Sequence, residues 1–303
     1  MAKFVNVAAV QFTKEHLTGE KNVRALVLED TAATLNNLRG LRLNLVVLSE
    51  TIEALAQTIE EAEEVQRPGA LLSLYQEFAA AENCHMVGSV KLRDADGVHN
   101  SLVFIGPAGC VLGAYHKTFL TISEIEQGLK PGKGAVVVDT AIGRLGGAIC
   151  FDLNFDELRQ QYVKLRPDII TFASMYHGGL MQSAWAYSCR AFFAAALPFH
   201  GGGVLDPLGR PVALTNCYTT IARAQINLDR VMVHLDYNAK KFPAIERRYG
   251  AAVRIDIPPN IGAALISSQS QDITALEIAR EFELQLLDDY FQASAERNSQ
   301  ARG

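Results

Sequence analysis

The chain has 303 residues, of which 49% are hydrophobic and 20% charged, and a formal net charge of −5. That balance supports a large buried core and excludes a disordered chain. The mild acidity, with basic residues scattered or in short pairs such as Lys240-Lys241, argues against a nucleic-acid surface.

No apolar run approaches the roughly 18 to 20 residues that a membrane span needs, so a soluble cytoplasmic protein is expected. Five widely spaced cysteines without a Cys-x-x-Cys pair indicate neither a disulfide framework nor a zinc site. The seven histidines form no His-x-x-x-His pair, so neither a metal nor a cofactor is expected.

Residues 4–11 are a short apolar run that reads as a buried strand. A helix over 20–38 follows, with Val23, Leu26, Val27, Leu35 and Leu38 at near-helical spacing and Gly40 as its stop, and then a strand at 43–48. This strand-helix-strand order suggests a parallel unit, with Glu50 at the edge where α/β folds place ligands. Glu50 also suits the first turn of a helix over 51–62. Pro68-Gly69 opens another helix through Ala81, and strands at 85–92, 100–105 and 111–115 form an antiparallel meander that carries Lys117 to the same end as Glu50.

Residues 121–134 read as an irregular loop holding Glu124, Glu126 and Pro131-Gly132. Strands at 135–138 and 144–150, a helix ending before Pro167 and a strand at 168–173 come next. The loop 174–179, with Met175, Tyr176 and His177, should line a pocket. A helix over 183–196, strands within 203–211, 219–228, 231–237 and 251–257, a break at Pro258-Pro259 and a helix over 273–291 complete the pattern, with a polar, frayed end at 295–303. Periodicity alone allows a doubly wound single sheet.

The stretch Gly146-Gly147-Ala148-Ile149-Cys150-Phe151-Asp152-Leu153-Asn154 turns from apolar to polar at a lone cysteine. A free cysteine is commonly just a small buried hydrophobe. At a strand tip before a helix start it is also where a nucleophile belongs, because amide N–H groups there would lower the thiol pKa and hold an oxyanion. His177 could activate such a thiol, but no Asn or Asp stands out to orient it.

Glu50 after Leu45-Val46-Val47-Leu48-Ser49, Lys117 after Gly113-Ala114-Tyr115-His116, and the Cys150-Phe151-Asp152 block occur together with Gln11-Phe12, Asn100, Pro131-Gly132 and Asp206-Pro207-Leu208-Gly209. In this order and spacing they resemble the nitrilase superfamily of carbon-nitrogen hydrolases, up to about residue 250. The resemblance implies a four-layer α-β-β-α sandwich over 1–250, with 251–303 as an extension packed on the same domain or on a partner. It also implies a homodimer or higher homo-oligomer acting on a small molecule.

By the same resemblance, Cys150 is the nucleophile, Glu50 the general base and acid, and Lys117 with the Phe151 amide the oxyanion stabilisers. Glu126, favoured slightly over Glu124, places water and substrate, while Phe151, Met175, Tyr176 and His177 contact substrate. Phe151-Asp152 after the cysteine, where nitrile-cleaving members carry Trp-Glu, points to the amidase and carbamoylase branches. The helix carrying Trp185 and Arg190 departs from the family pattern, with Phe192-Phe193-Ala194 where an acid and an asparagine follow in the family. Other readings are a silent or regulatory binding protein on this scaffold, a nitrile hydrolase, or an acyltransferase.

Overall fold

The computed structural model describes residues 1–13, 20 and 22–303. The chain forms two compact units, one of Asn6–Gln225 and one of Ile226–Gly303 together with Met1–Val5. Among the described residues no helix is long and apolar enough to cross a membrane.

The chain starts with strand β1 (Phe4–Val10), which belongs to the larger unit from Asn6 on, and continues there with helix α1 (Val23–Asn36) and strand β2 (Leu45–Val47); β1 pairs with β2 in parallel. Leu45, Val46 and Val47 are all buried, as expected of a strand covered on both faces. Helix α2 (Glu50–Ala56) begins at once because the Ser49 hydroxyl accepts the Thr51 amide. Helix α3 (Ala70–Glu82) starts on the buried Glu63 carboxylate, which accepts from the amides of Gly69, Leu71 and Leu72. Strands β3 (His85–Arg93), β4 (Val98–Ile105) and β5 (Val111–His116) then run antiparallel as a meander.

Helix α4 (Ile122–Glu126), β6 (Val137–Thr140), β7 (Gly143–Ile149), α5 (Asp156–Leu165), β8 (Ile169–Ala173), α6 (Leu180–Cys189), β9 (Phe192–Ala196), β10 (Gly203–Leu205), β11 (Pro211–Leu214) and β12 (Ile221–Asn227) follow. They give two six-stranded sheets, ordered β12-β1-β2-β3-β4-β5 and β11-β10-β9-β8-β7-β6. The sheets pack face to face where Gly147 meets Leu102, Phe104 and Tyr115, so closely that a Cβ on Gly147 would lie 3.1 to 3.2 Å from them. Helices α1 and α3 pack on the first sheet through Val27, Leu35, Leu71, Tyr75 and Phe78. On the second, Tyr162 of α5 lies against Gly146, and α6 packs on β9. This is the four-layer α-β-β-α sandwich.

In the smaller unit, β13 (Arg230–His234), β14 (Val253–Asp256) and β15 (Ala263–Ser268) form an antiparallel sheet ordered β13-β15-β14. Helices α7 (Phe242–Tyr249), α8 (Ala275–Glu281) and α9 (Leu287–Arg302) accompany it, around a core of Val233, Phe242, Ile245, Ile266 and Ile278.

Several boundaries differ from the sequence reading. The expected helix over 183–196 is α6 followed by the parallel strand β9: Arg190 takes a left-handed conformation, φ 54°, that ends the helix, and the apolar run beyond it is buried between β8 and β10. The loop expected over 121–134 contains α4, the helix expected over 51–62 stops at Ala56, and the helix expected over 273–291 is two, α8 and α9. Helix α9 extends through the end expected to fray, and β15 was not anticipated. Residue 21 of the helix expected over 20–38 lies outside the described residues.

Candidate active site

The strand ends of both sheets in the larger unit bring three distant stretches together. Glu50 stands in the first turn of α2, directly after β2, and is 3% exposed. Its Oε1 accepts from Lys117 Nζ at 3.1 Å and from Asn100 Nδ2 at 2.9 Å, while Oε2 accepts from the Met175 amide at 2.9 Å. Lys117, 1% exposed, follows β5 and is set there by its own amide, which donates to the Asn100 carbonyl.

A second carboxylate completes the cluster. Glu124 Oε1 accepts from Lys117 Nζ at 2.8 Å and from Asn100 Nδ2 at 3.0 Å, and its Oε2 accepts from the amide and hydroxyl of Thr121. Thr121 and Glu124 are a reciprocal capping box, so the single turn of α4 fixes the acid that meets the lysine. Glu126, favoured over Glu124 in the sequence reading, is exposed two residues further along the same turn. The motif Thr121-Ile122-Ser123-Glu124 is the sequence signal that would have selected Glu124.

Burial opposes the charge on Lys117, but Glu50, Cys150 and Glu124 outweigh it and hold the ammonium above its ordinary range. Burial likewise works against Glu124, and Lys117 with the bonds from Thr121 and Asn100 overcomes it, so this carboxyl lies below its ordinary range. The ion pair is therefore a charged one.

Cys150 directly follows β7 with φ +47°, a left-handed conformation that is unusual outside glycine. The turn is held from below by Asp152, whose Oδ2 accepts from Tyr115 Oη at 2.7 Å and the Ile149 amide at 2.9 Å and whose Oδ1 accepts from the Phe119 amide at 2.8 Å. Burial pushes the Asp152 carboxyl up to about 6 despite these donors. The Cys150 thiol is pushed up to about 11, first by burial and then by the Glu50 charge, against Lys117, the Met175 amide and the Ser174 hydroxyl. The lowered thiol pKa expected from a helix start does not arise, because α5 begins only at Asp156, a 3-10 turn intervenes, and desolvation dominates.

Phe151 is 37% exposed and meets Phe155 edge-on, and Phe155 stacks on Phe119 at 3.8 Å, which makes an aromatic wall beside the thiol turn. Met175 joins the cluster through its amide. Tyr176 is half-buried beside Cys150, and its Oη accepts from Asn154 Nδ2 at 3.3 Å; burial, then Cys150, raises its pKa. His177 is exposed and turned elsewhere: Nδ1 accepts from the Gly179 amide, the ring stacks on Phe199, and Nε2 lies against Gly201. Asn100, which bridges both carboxylates, and the Tyr115-Asp152 pair have roles that no local sequence pattern indicates.

The carbon-nitrogen hydrolase family model matches residues 6–232. Omega-amidase NIT2-A of Xenopus laevis is 25% identical over 257 residues, 75% of this chain and 90% of that protein. Human omega-amidase NIT2 is 24% identical over 198 residues, 57% of this chain and 71% of that protein. Among solved structures, Nit3 of Saccharomyces cerevisiae, a member of branch 10 of the nitrilase superfamily, superposes with a TM-score of 0.65 at 19% identity, covering 82% of this chain and 95% of that one. A CN-hydrolase superfamily protein of Xanthomonas campestris gives 0.62 at 20% identity, covering 82% and 96%. With its four-layer fold and a family match across most of its length, the chain belongs to the carbon-nitrogen hydrolases of the nitrilase superfamily.

Proposed function

We propose that the protein hydrolyses a small linear amide or N-carbamoyl compound through a thioester on Cys150. The observation that carries this reading is the Lys117 ammonium, buried between Glu50 and Glu124 and acting electrostatically on the Cys150 thiol. Relatives named omega-amidases support an amide as substrate, and so does Phe151-Asp152 after the cysteine.

Glu50 takes the proton from Cys150 Sγ as the sulfur attacks the carbonyl carbon. The carbonyl oxygen becomes an oxyanion held by Lys117 and the Phe151 amide. Collapse of the tetrahedral adduct breaks the C–N bond, and the proton held on Glu50 passes to the leaving amine. Water then gives a proton to Glu50, attacks the thioester and breaks the C–S bond, and the proton returns to the sulfur. Asn100 and Glu124 act by holding Lys117 and Glu50 in place.

Intact-protein mass spectrometry after acid quench, with a panel of amides, ureas and nitriles, tests the reading. An acyl adduct on Cys150 is expected with an amide or a carbamoyl compound and not with nitriles. Glu124→Gln should lower kcat by at least about tenfold, whereas Glu126→Gln should leave it within twofold. Turnover at the wild-type rate by Cys150→Ala would exclude the mechanism.

A further inference from the structure

The hairpin that carries Asn100 and Lys117 bears a second set of chemically active side chains on its other face. Side chains alternate along strands, and the register places Ser101 opposite His116. His99, Ser101 and His116 therefore share one face, while Leu102 and Tyr115 turn toward Gly147. The two imidazole rings stack with centroids 4.2 Å apart, and His99 is buried. Asp94, in the turn before β4, sets Oδ1 3.2 Å from His99 Nε2 and Oδ2 3.5 Å from His116 Nε2. One candidate ligand atom from each of the three residues lies within 4.8 Å of the others.

The hydrogen bonds behind the rings determine what these atoms present. His99 Nδ1 is 2.9 Å from the Lys130 carbonyl, which only accepts, so Nδ1 carries a proton and Nε2, 3.2 Å from Asp94 Oδ1, is the atom a metal ion would take. His116 Nδ1 is 2.7 Å from Ser101 Oγ, and the Ser101 hydroxyl donates to the His99 carbonyl at 3.3 Å. The bond to the His99 carbonyl allows Ser101 Oγ to accept from His116 Nδ1, the tautomer that leaves His116 Nε2 to ligate an ion. Two imidazole Nε2 atoms thus converge on a carboxylate, whose Oδ1 the amides of Asp96 and Gly97 hold in place. Nδ1–H groups tied to a carbonyl or hydroxyl are how ligating histidines are oriented.

We propose that Asp94, His99 and His116 bind one divalent first-row transition ion such as Zn²⁺, through two nitrogens and a carboxylate oxygen. Cavities of about 340 Å³ and 470 Å³, both lined by Asp94 and His116, give water access to the remaining coordination positions. Sequence spacing hides the set, because its members come together only across the turn and the β4-β5 pairing. His99 and His116 directly precede Asn100 and Lys117, so the ion would tie down the strand ends that present the ammonium on the opposite face. The site stands independently of the proposed substrate.

The test is titration of the chelator-treated full chain with Co²⁺, followed by visible absorption, and equilibrium dialysis with Zn²⁺. One ion per chain is expected in the wild type and in Cys150→Ser, which removes the thiol as a rival ligand. Asp94→Asn, at an exposed turn position, and His116→Gln should each bind at least about tenfold more weakly, since even outer partners of metal ligands are worth 10- to 100-fold. Zn²⁺ should raise Tm in the wild type and not in Asp94→Asn. No stoichiometric uptake would overturn the proposal and leave Asp94 simply hydrogen-bonded to His99. Uptake unchanged in both variants would overturn it too.

Discussion

At the level of single residues, the Cys150 thiol, pushed up to about 11, keeps its proton at neutral pH until a base removes it. Glu50 is the second cause of that shift after burial, and Lys117 opposes it. In the proposed mechanism Glu50 is also the base, so it suppresses the free thiolate while enabling the reaction. Glu50→Gln should separate the two effects. With the negative charge gone and the ammonium retained, the thiol pKa falls, and iodoacetamide alkylation at pH 8 should quicken by about three- to tenfold for each unit of decrease, since a less basic thiolate is also less nucleophilic. Amide turnover in the same variant should drop by about 10² to 10⁴. Slower alkylation in Glu50→Gln would remove Glu50 from its place beside the sulfur.

Among the elements, α2 and β3 are joined by a second ion pair one turn from Glu50. Glu53, 1% exposed, meets Lys91, 7% exposed, in a short hydrogen bond, and burial raises the Glu53 carboxyl above its ordinary value although Lys91 pulls it down. A carboxyl whose folded pKa is raised contributes stability fully below its unfolded value of 4.5, and the contribution is lost as pH rises through the folded value. Lys91→Met leaves the carboxylate unpaired and should cost about 3 to 5 kcal/mol at pH 8. The loss should be smaller at pH 5, where Glu53 takes up a proton. Urea melts at the two pH values check this, and an equal loss at both would contradict it. These elements also show what could be read in advance. The apolar runs at 4–11 and 43–48, and the cysteine at a strand tip, identified two buried strands and the thiol turn because burial on both faces leaves a continuous hydrophobic signature, whereas the four layers came only from the family resemblance. The same rule was missed at Phe192-Phe193-Ala194-Ala195-Ala196, where alanine's helix preference masked a parallel strand. Glu124 was obscured because a five-residue helix has no periodicity, only its capping box. Asn100 and the Asp94-His99-His116 set depend on pairing across strands, which no local pattern carries.

For the molecule as a whole, the cluster draws one part from each sheet: Glu50, Asn100 and Lys117 from the first, Cys150 and Met175 from the second. The contact between Glu50 and the Met175 amide spans 125 positions in the chain, so the site exists only once the two sheets have met. Aiming the sulfur at that junction holds Cys150 at φ +47°, where an L-residue costs about 1 to 2 kcal/mol. Glycine at this position would adopt the same angle freely. Cys150→Gly should therefore unfold at a higher temperature than Cys150→Ala, by a margin worth about 1 kcal/mol after the entropy of the freer unfolded chain is subtracted. A lower Tm for the glycine variant would show the turn to be unstrained. In the proposed mechanism the strained residue is the nucleophile itself, so the sturdiest version of this enzyme would be one that no longer works.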